Sequence, residues 1–331
     1  EISNPVIKYI VITLIFMTIL IGNTAYEAGN ISGAVMGLET LFGQIKIDFK
    51  DFSLNIHAII IGLLAGALLW IGKYRIIERC LIGLVIIMSI AFLFTAIATR
   101  PSLLSILSGL LSFKAPAGSL LTIIGLVGTT IVPYNLFLHA ELVKEKWNDK
   151  GDLKFALKDL IIALGLGGLI SLSIVITASS INATDINTVG DLALGLESVF
   201  GTFSRHFLAI GLFAAGITST ITAPLAAAYV VCGCFGLSTN LQSNYFKFIW
   251  LLIILFGVFF SATGLKLITI IQFAQITNGV LLPIMVGLLL WMVNKSSLLG
   301  NFKNNNSQNA IGFIIIVVSL FLSLRTLFLI F

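Results

Sequence analysis

Apolar runs of about 20 residues recur from one end of this chain to the other, each bounded by a few charged or turn-forming residues. That is the length a helix needs to cross a hydrocarbon core roughly 30 Å thick. In that medium every backbone N–H and C=O must find its partner inside the protein, so only helices and closed barrels span it. The polar–apolar alternation of a barrel strand is missing here. Composition agrees: 58% of the 331 residues are hydrophobic and 10% are charged, against about 25% charged in soluble domains. The expectation is an all-α membrane protein, one polytopic domain over 1–331. Nine spans are expected, near 8–27 (running on to about 42), 57–74, 79–98, 118–143, 157–179, 203–236, 247–264, 267–293 and 310–331. The connections are too short for a separate soluble domain.

Basic residues set the orientation. Twelve of them, among them Lys8, Lys73, Arg75, Lys144, Lys146 and Lys247, fall on one side of such a bundle. Six fall on the other: Lys46, Lys50, Arg100, Lys114, Arg205 and Lys266. The first side, with the N-terminus and the 144–158 loop, is therefore expected in the cytoplasm, in a bacterial plasma membrane. This bias accounts for the net charge of +5, so nucleic acid need not be invoked as a partner.

One span carries its own interruption. Gly128-Thr129-Thr130-Ile131-Val132-Pro133-Tyr134-Asn135 divides the apolar run of the fourth span. Proline lacks the N–H its turn needs, clashes with the carbonyl four residues back, and turns Val132 away from helix. Non-helical backbone at membrane depth survives only where it is buried in protein or lines a polar cavity. Discontinuous helices of this kind hold the ion or substrate in many secondary transporters. A kink with a purely packing role is the alternative. The expectation is an unwound segment from Thr129 to Tyr134, facing the interior close to Gln275.

Ionisable and amide groups inside spans are functional candidates by default. Glu27 lies in the first span beside Asn23, Thr24 and Asn30, and Gly29, Gly33 and Gly37 follow at a spacing that lets another helix approach closely. It suits a proton relay, or else a structural carboxyl bonded to a neighbouring helix. His139 lies one turn beyond the break, where an imidazole exchanges protons near neutral pH; a packing histidine is the plain alternative. Glu141 and Asp159, nearer the span ends, read as solvated or ion-paired. The hydroxyls of Thr218, Thr220 and Thr222 precede Pro224 and are expected to bond back to helix carbonyls. Gln275, with Gln272, Thr277 and Asn278, offers amide oxygen to a cation or serves as interhelical glue. Cys80, Cys232 and Cys234 read as small core residues. No phosphate loop, metalloprotease helix or nucleophile elbow is present, so enzymatic chemistry is not expected, nor is a resident cofactor.

Taken together these motifs resemble the Nramp family of divalent-metal transporters. Gly128 through His139 is similar to the family's sixth-helix stretch, where a Met-Pro-His triplet leads into Asn-Leu-Tyr-Leu-His. Gly216 to Thr222 resembles its Gly-x-Ser-Ser-Thr-x-Thr segment, and Gln275 to Pro283 its tenth helix. Glu27 matches the glutamate of the third-helix Asp-Leu-Ala-Glu signature, whose aspartate is replaced by Thr24. The resemblance covers essentially the whole chain as the family's third to eleventh helices. It implies a LeuT-like fold of two inverted repeats, with the family's first two helices, one carrying an Asp-Pro-Gly-Asn metal site, ahead of Glu1.

The implied activity is secondary transport of a divalent metal ion, with the ion as substrate and the proton as coupling partner. The implied metal positions are Thr129, through its backbone carbonyl, Val132 and Gln275. The implied proton pathway is Glu27, Tyr134 and His139. Two departures bear on the ion. Val132 stands where the family has its metal-binding methionine, and Tyr134 where it has its first histidine. Thioether sulfur favours softer metals and oxygen favours harder ones, so Mn²⁺, Fe²⁺ and Mg²⁺ all stay open. A LeuT-fold carrier of a small organic solute such as an amino acid, and a non-transporting scaffold or sensor, are the other readings.

Overall fold

The computed structural model describes residues 5–49, 53–112, 118–119, 122–123, 125–126, 132–147, 149–179, 202–263 and 265–330. Its longer helices are α1 (Pro5–Phe42), α2 (Ile56–Ile71), α3 (Tyr74–Ala98), α4 (Leu103–Leu110), α5 (Pro133–Lys146), α6 (Leu153–Ser179), α7 (Thr202–Phe235), α8 (Asn244–Ala262), α9 (Leu267–Val293) and α10 (Asn306–Ile330). Among the described residues seven of these, α1, α3, α6, α7, α8, α9 and α10, are long and apolar enough to cross a membrane. The second expected span appears as α2, apolar but shorter. Of the fourth, α5 and the helical residues 122–123 and 125–126 are described. The exposed helix α4 was not anticipated.

Among the described residues the one sheet is a small antiparallel ribbon, Lys46–Asp48 against Ser53–Asn55, with Lys46 opposite Asn55. It ends by capping α2. The Asn55 side-chain Oδ1 accepts from the His57 N–H at 3.0 Å, while its Nδ2 donates to Glu39 near the end of α1 at 2.8 Å. The far end of α2 stops at Gly72, whose φ of 59° is left-handed and easy for a residue without Cβ. There Gln242 donates to the Ile71 carbonyl at 2.8 Å.

The bundle is assembled around α1, which packs against α7, α8 and α9. Two glycines set how near α1 and α7 come. A Cβ on Gly37 would lie 2.6 Å from the Ala209 carbonyl oxygen and the Phe213 nitrogen. One on Gly216 would lie 2.7 Å from Ala34 Cα and Cβ. Gly29 faces Ala274 of α9, at 3.0 Å by the same construction, whereas Gly33 faces nothing within 4 Å. So two of the three spaced glycines of α1 are packing surfaces and the third is not. Around this seam lie Ile31, Ala34, Val35, Ile217, Ile221 and Ala226, all buried. The outward faces of α3, α6 and α10 carry Ile97, Leu164 and Phe313, more than 60% exposed, as a bilayer-facing surface requires.

Pro224 sits within a continuous α7. Thr220 donates to the Gly216 carbonyl at 2.9 Å and Thr222 to that of Thr218 at 3.2 Å, and Thr218 bonds back to Ala214. The hydroxyl ladder expected before the proline is present. From α1, the Asn23 amide donates to the Ala223 carbonyl at 3.2 Å, tying the two central helices at the proline.

Candidate functional site

Val132 is the last residue before α5, extended at φ −83° and ψ 125°, and only 2% exposed. Thr129 to Ile131 lie outside the described residues. Where the unwound stretch was expected to continue to Tyr134, the helix instead begins at Pro133, so Tyr134 is already helical. The reason is local: proline at the first helical position loses no hydrogen bond, and its fixed φ is preset for helix. The side chain of Tyr134 also lies outside the described set.

Across from the break, Gln275 of α9 has its Oε1 buried without a hydrogen-bond partner. A Cβ on Gly125, before the break, would lie 3.8 Å from the Cβ of Gln275. An unpaired amide oxygen in an apolar interior costs about 1–3 kcal/mol, so this atom is set to accept from something that arrives. On the same helix Gln272 is exposed, and Thr277 donates to the Phe273 carbonyl at 2.9 Å.

Glu27 is fully buried on α1. Asn30 donates to its Oε2 at 3.3 Å, and Oε1 has no partner. What faces it from α8 is Gly257, where a Cβ would come 2.5 Å from Glu27 Cγ and 3.0 Å from Ile31 Cδ1. One turn further the Ser32 hydroxyl donates to that of Ser261 at 3.2 Å, fixing the same helix pair. No cationic side chain pairs with Glu27 among the described residues. Burying an uncompensated charge is costly, so the open oxygen calls for a proton or a cation. Gly257 was missed in the sequence, where a lone glycine in an apolar helix carries no signal of what faces it. Gly257→Ala is expected to push Glu27 from its seat and destabilise the protein by about 1–3 kcal/mol. Glu27→Ala should recover part of that loss. Additive losses in thermal melts of the two single variants and the double variant would argue against the contact.

His139 lies elsewhere. It is exposed on α5 and lines a cavity of about 280 Å³ with Glu78, Leu138, Asp159 and Thr222. Beside it Lys146 pairs with Asp159 at 3.7 Å, and Lys144 with Glu141 at 2.7 Å, so both outlying carboxylates are ion-paired as expected. Glu27 thus lies on the α1–α8 seam, and His139 lines this cavity. No cluster of three or more His, Cys, Asp or Glu side chains suited to a metal ion occurs among the described residues.

The described features of this region are a buried, extended Val132 at the start of α5 and an unpartnered amide oxygen on Gln275 of α9. The family model described as natural resistance-associated macrophage protein-like (Nramp) matches residues 1–329. The chain belongs to the Nramp family. The divalent metal cation transporter MntH of Caldanaerobacter subterraneus subsp. tengcongensis is 25% identical over 240 residues, covering 69% of this chain and 55% of that protein. The MntH of Staphylococcus haemolyticus is 26% identical over 327 residues, 91% of this chain and 71% of that protein. The chain thus spans between about half and seven tenths of the length of these relatives. Among solved structures, a mutant of the Eremococcus coleocola manganese transporter superposes with a TM-score of 0.74 at 18% identity, covering 96% of this chain and 71% of the other. The fold is the expected LeuT-like one.

Proposed function

We propose that this protein is a secondary transporter of a divalent metal cation, coupled to protons, whose site near the break is built from oxygen and favours a hard ion. The observation that carries the reading is the pairing of a buried, extended helix start at Val132 with the unpartnered oxygen of Gln275, whose Cβ lies beside Gly125 ahead of the break. Relatives named as divalent metal cation transporters support it. Valine contributes no ligand where thioether sulfur would select softer metals, so Mg²⁺ or Mn²⁺ fits this site better than Cd²⁺. The carbonyl of Thr129 and the amide of Gln275 are the ligands proposed from this chain.

Glu27 is the proposed proton carrier: a buried carboxyl with one oxygen open and no cationic neighbour. His139 takes the proposed second place in the cavity between α3 and α5, with Tyr134 between the break and that cavity in sequence. The chain's N-terminal side and the 144–158 loop are proposed to face the cytoplasm of a bacterium.

Uptake by full-length protein in proteoliposomes, with Mg²⁺, Mn²⁺, Fe²⁺ and Cd²⁺ offered in turn under an imposed pH gradient, tests the reading. Uptake of Mg²⁺ or Mn²⁺ accelerated by inward-directed protons is expected. No divalent ion moving above empty vesicles would overturn it. In the same assay Glu27→Gln, which keeps the shape and removes the titrating group, should flatten the pH dependence while leaving metal binding by calorimetry intact. Wild-type pH dependence in that variant would reduce Glu27 to a packing role.

A further inference from the structure

A groove of about 780 Å³ opens between α1, α8 and α9, within the roughly 300–1,000 Å³ of ordinary ligand sites. Leu20 and Ala28 of α1, Leu252 and Phe260 of α8, and Ile270 and Phe273 of α9 line it. The polar side chains in its wall are few: the hydroxyls of Thr24 and Thr269, and Lys266 at one end. It is distinct from the place proposed for the metal, because Phe273 points away from the face of α9 that bears Gln275, two residues on.

Its length follows from the helices. The stretch 266–273 rises about 10 Å and the stretch 20–28 about 12 Å at 1.5 Å per residue. Gly29 sits beside Ile271 and Ala274, so the two stretches continue one another rather than lie level. The groove therefore runs about 20 Å inward from Lys266, a little more than one leaflet of a hydrocarbon core roughly 30 Å thick. Lys266 is exposed, and its ammonium makes no ion pair or hydrogen bond among the described residues. A cation at one end of a leaflet-deep apolar slot matches one occupant in charge and in shape.

We propose that this groove is a binding site for an anionic membrane phospholipid, its phosphate on Lys266 and one acyl chain along Phe260, Phe273 and Leu252. Phe256, Phe260 and Phe273 are each more than 40% exposed, and an inserted chain would cover them. The lipid would then wedge between α9 and the turn of α1 that precedes Glu27, on the same helix as the proposed proton carrier.

The test is native mass spectrometry of full-length protein titrated with phosphatidylglycerol or phosphatidylcholine of equal chain length, with thermal melts to confirm folding. Wild type should retain phosphatidylglycerol preferentially. Lys266→Gln should lower that preference about fivefold, the worth of one lysine at an anionic surface. Thr269→Phe, at an exposed position in the groove wall, should displace both lipids without unfolding. Inorganic phosphate should not compete, since the chain supplies most of the binding. Equal retention of the two lipids in wild type, phosphate competing as well as lipid, or Thr269→Phe binding like wild type would each overturn the proposal. So would retention of no lipid at all, the outcome if another protein segment fills the groove.

Discussion

Gly216→Val is expected to abolish the folded bundle. At this point α7 meets the backbone of α1, and even a Cβ would lie 2.7 Å from Ala34 Cα and Cβ. The obstacle is main chain, which cannot swing aside as a flexible side chain does, so the two central helices must part. Overpacking a core ordinarily costs about 1–3 kcal/mol. Here it would also strain the buried Ile31, Ala34, Val35, Ile217 and Ile221 packing and the Asn23–Ala223 hydrogen bond nearby, so a loss above that range is expected against a total stability of about 5–15 kcal/mol. Size-exclusion chromatography in mild detergent should show aggregated or absent protein. Gly33→Val, one turn from the same seam but facing nothing within 4 Å, should stay monodisperse. If Gly216→Val elutes and melts like wild type, the helix seam is not as close as described.

The second large effect concerns the ion. Val132→Met places a thioether at the buried residue that precedes α5. The added bulk in a packed core costs about 1–3 kcal/mol, which a total stability of about 5–15 kcal/mol should survive. A sulfur ligand should raise Cd²⁺ affinity of the full-length protein at least about tenfold, roughly 1.4 kcal/mol, while Mg²⁺ binding falls or stays constant. Calorimetry with both ions gives the answer. Tight Cd²⁺ binding by the unmodified protein, unchanged by the substitution, would show that Val132 is not at the metal.

Much of this was legible in the sequence because a bilayer leaves few choices. Runs of about 20 apolar residues become helices wherever they occur, and the edges of α6, α8 and α9 fall within a few residues of expectation. Pro133 marked a helix boundary because its chemistry is local. The same locality explains the error at Tyr134: proline was read as a breaker extending both ways, when it is also a good first residue. Gln275 was picked from a row of four polar residues, of which Gln272 is exposed and Thr277 is bonded to its own helix. What one sequence did not give was which faces meet. Nothing in the spacing of Gly29, Gly33 and Gly37 says that the middle one looks at empty space. That Gly257 of α8 is what faces Glu27 depends on how α1 and α8 meet, which a list of candidate residues does not contain.

The tie between Asn23 and Ala223 spans 200 residues of sequence, and that between Ser32 and Ser261 spans 229. At a synthesis rate of about 5–20 residues per second, α1 leaves the ribosome some tens of seconds before its partners. During that interval Asn23 and Ser32 sit in a helix whose partners on α7 and α8 are not yet made. Of the described helices α1 is made first, and it completes its packing only when α9 has followed. By contrast α9 and α10 are clasped by the reciprocal Asn294–Asn309 amide pair at 2.7 Å, only 15 residues apart, and can close as a hairpin almost as soon as both are made.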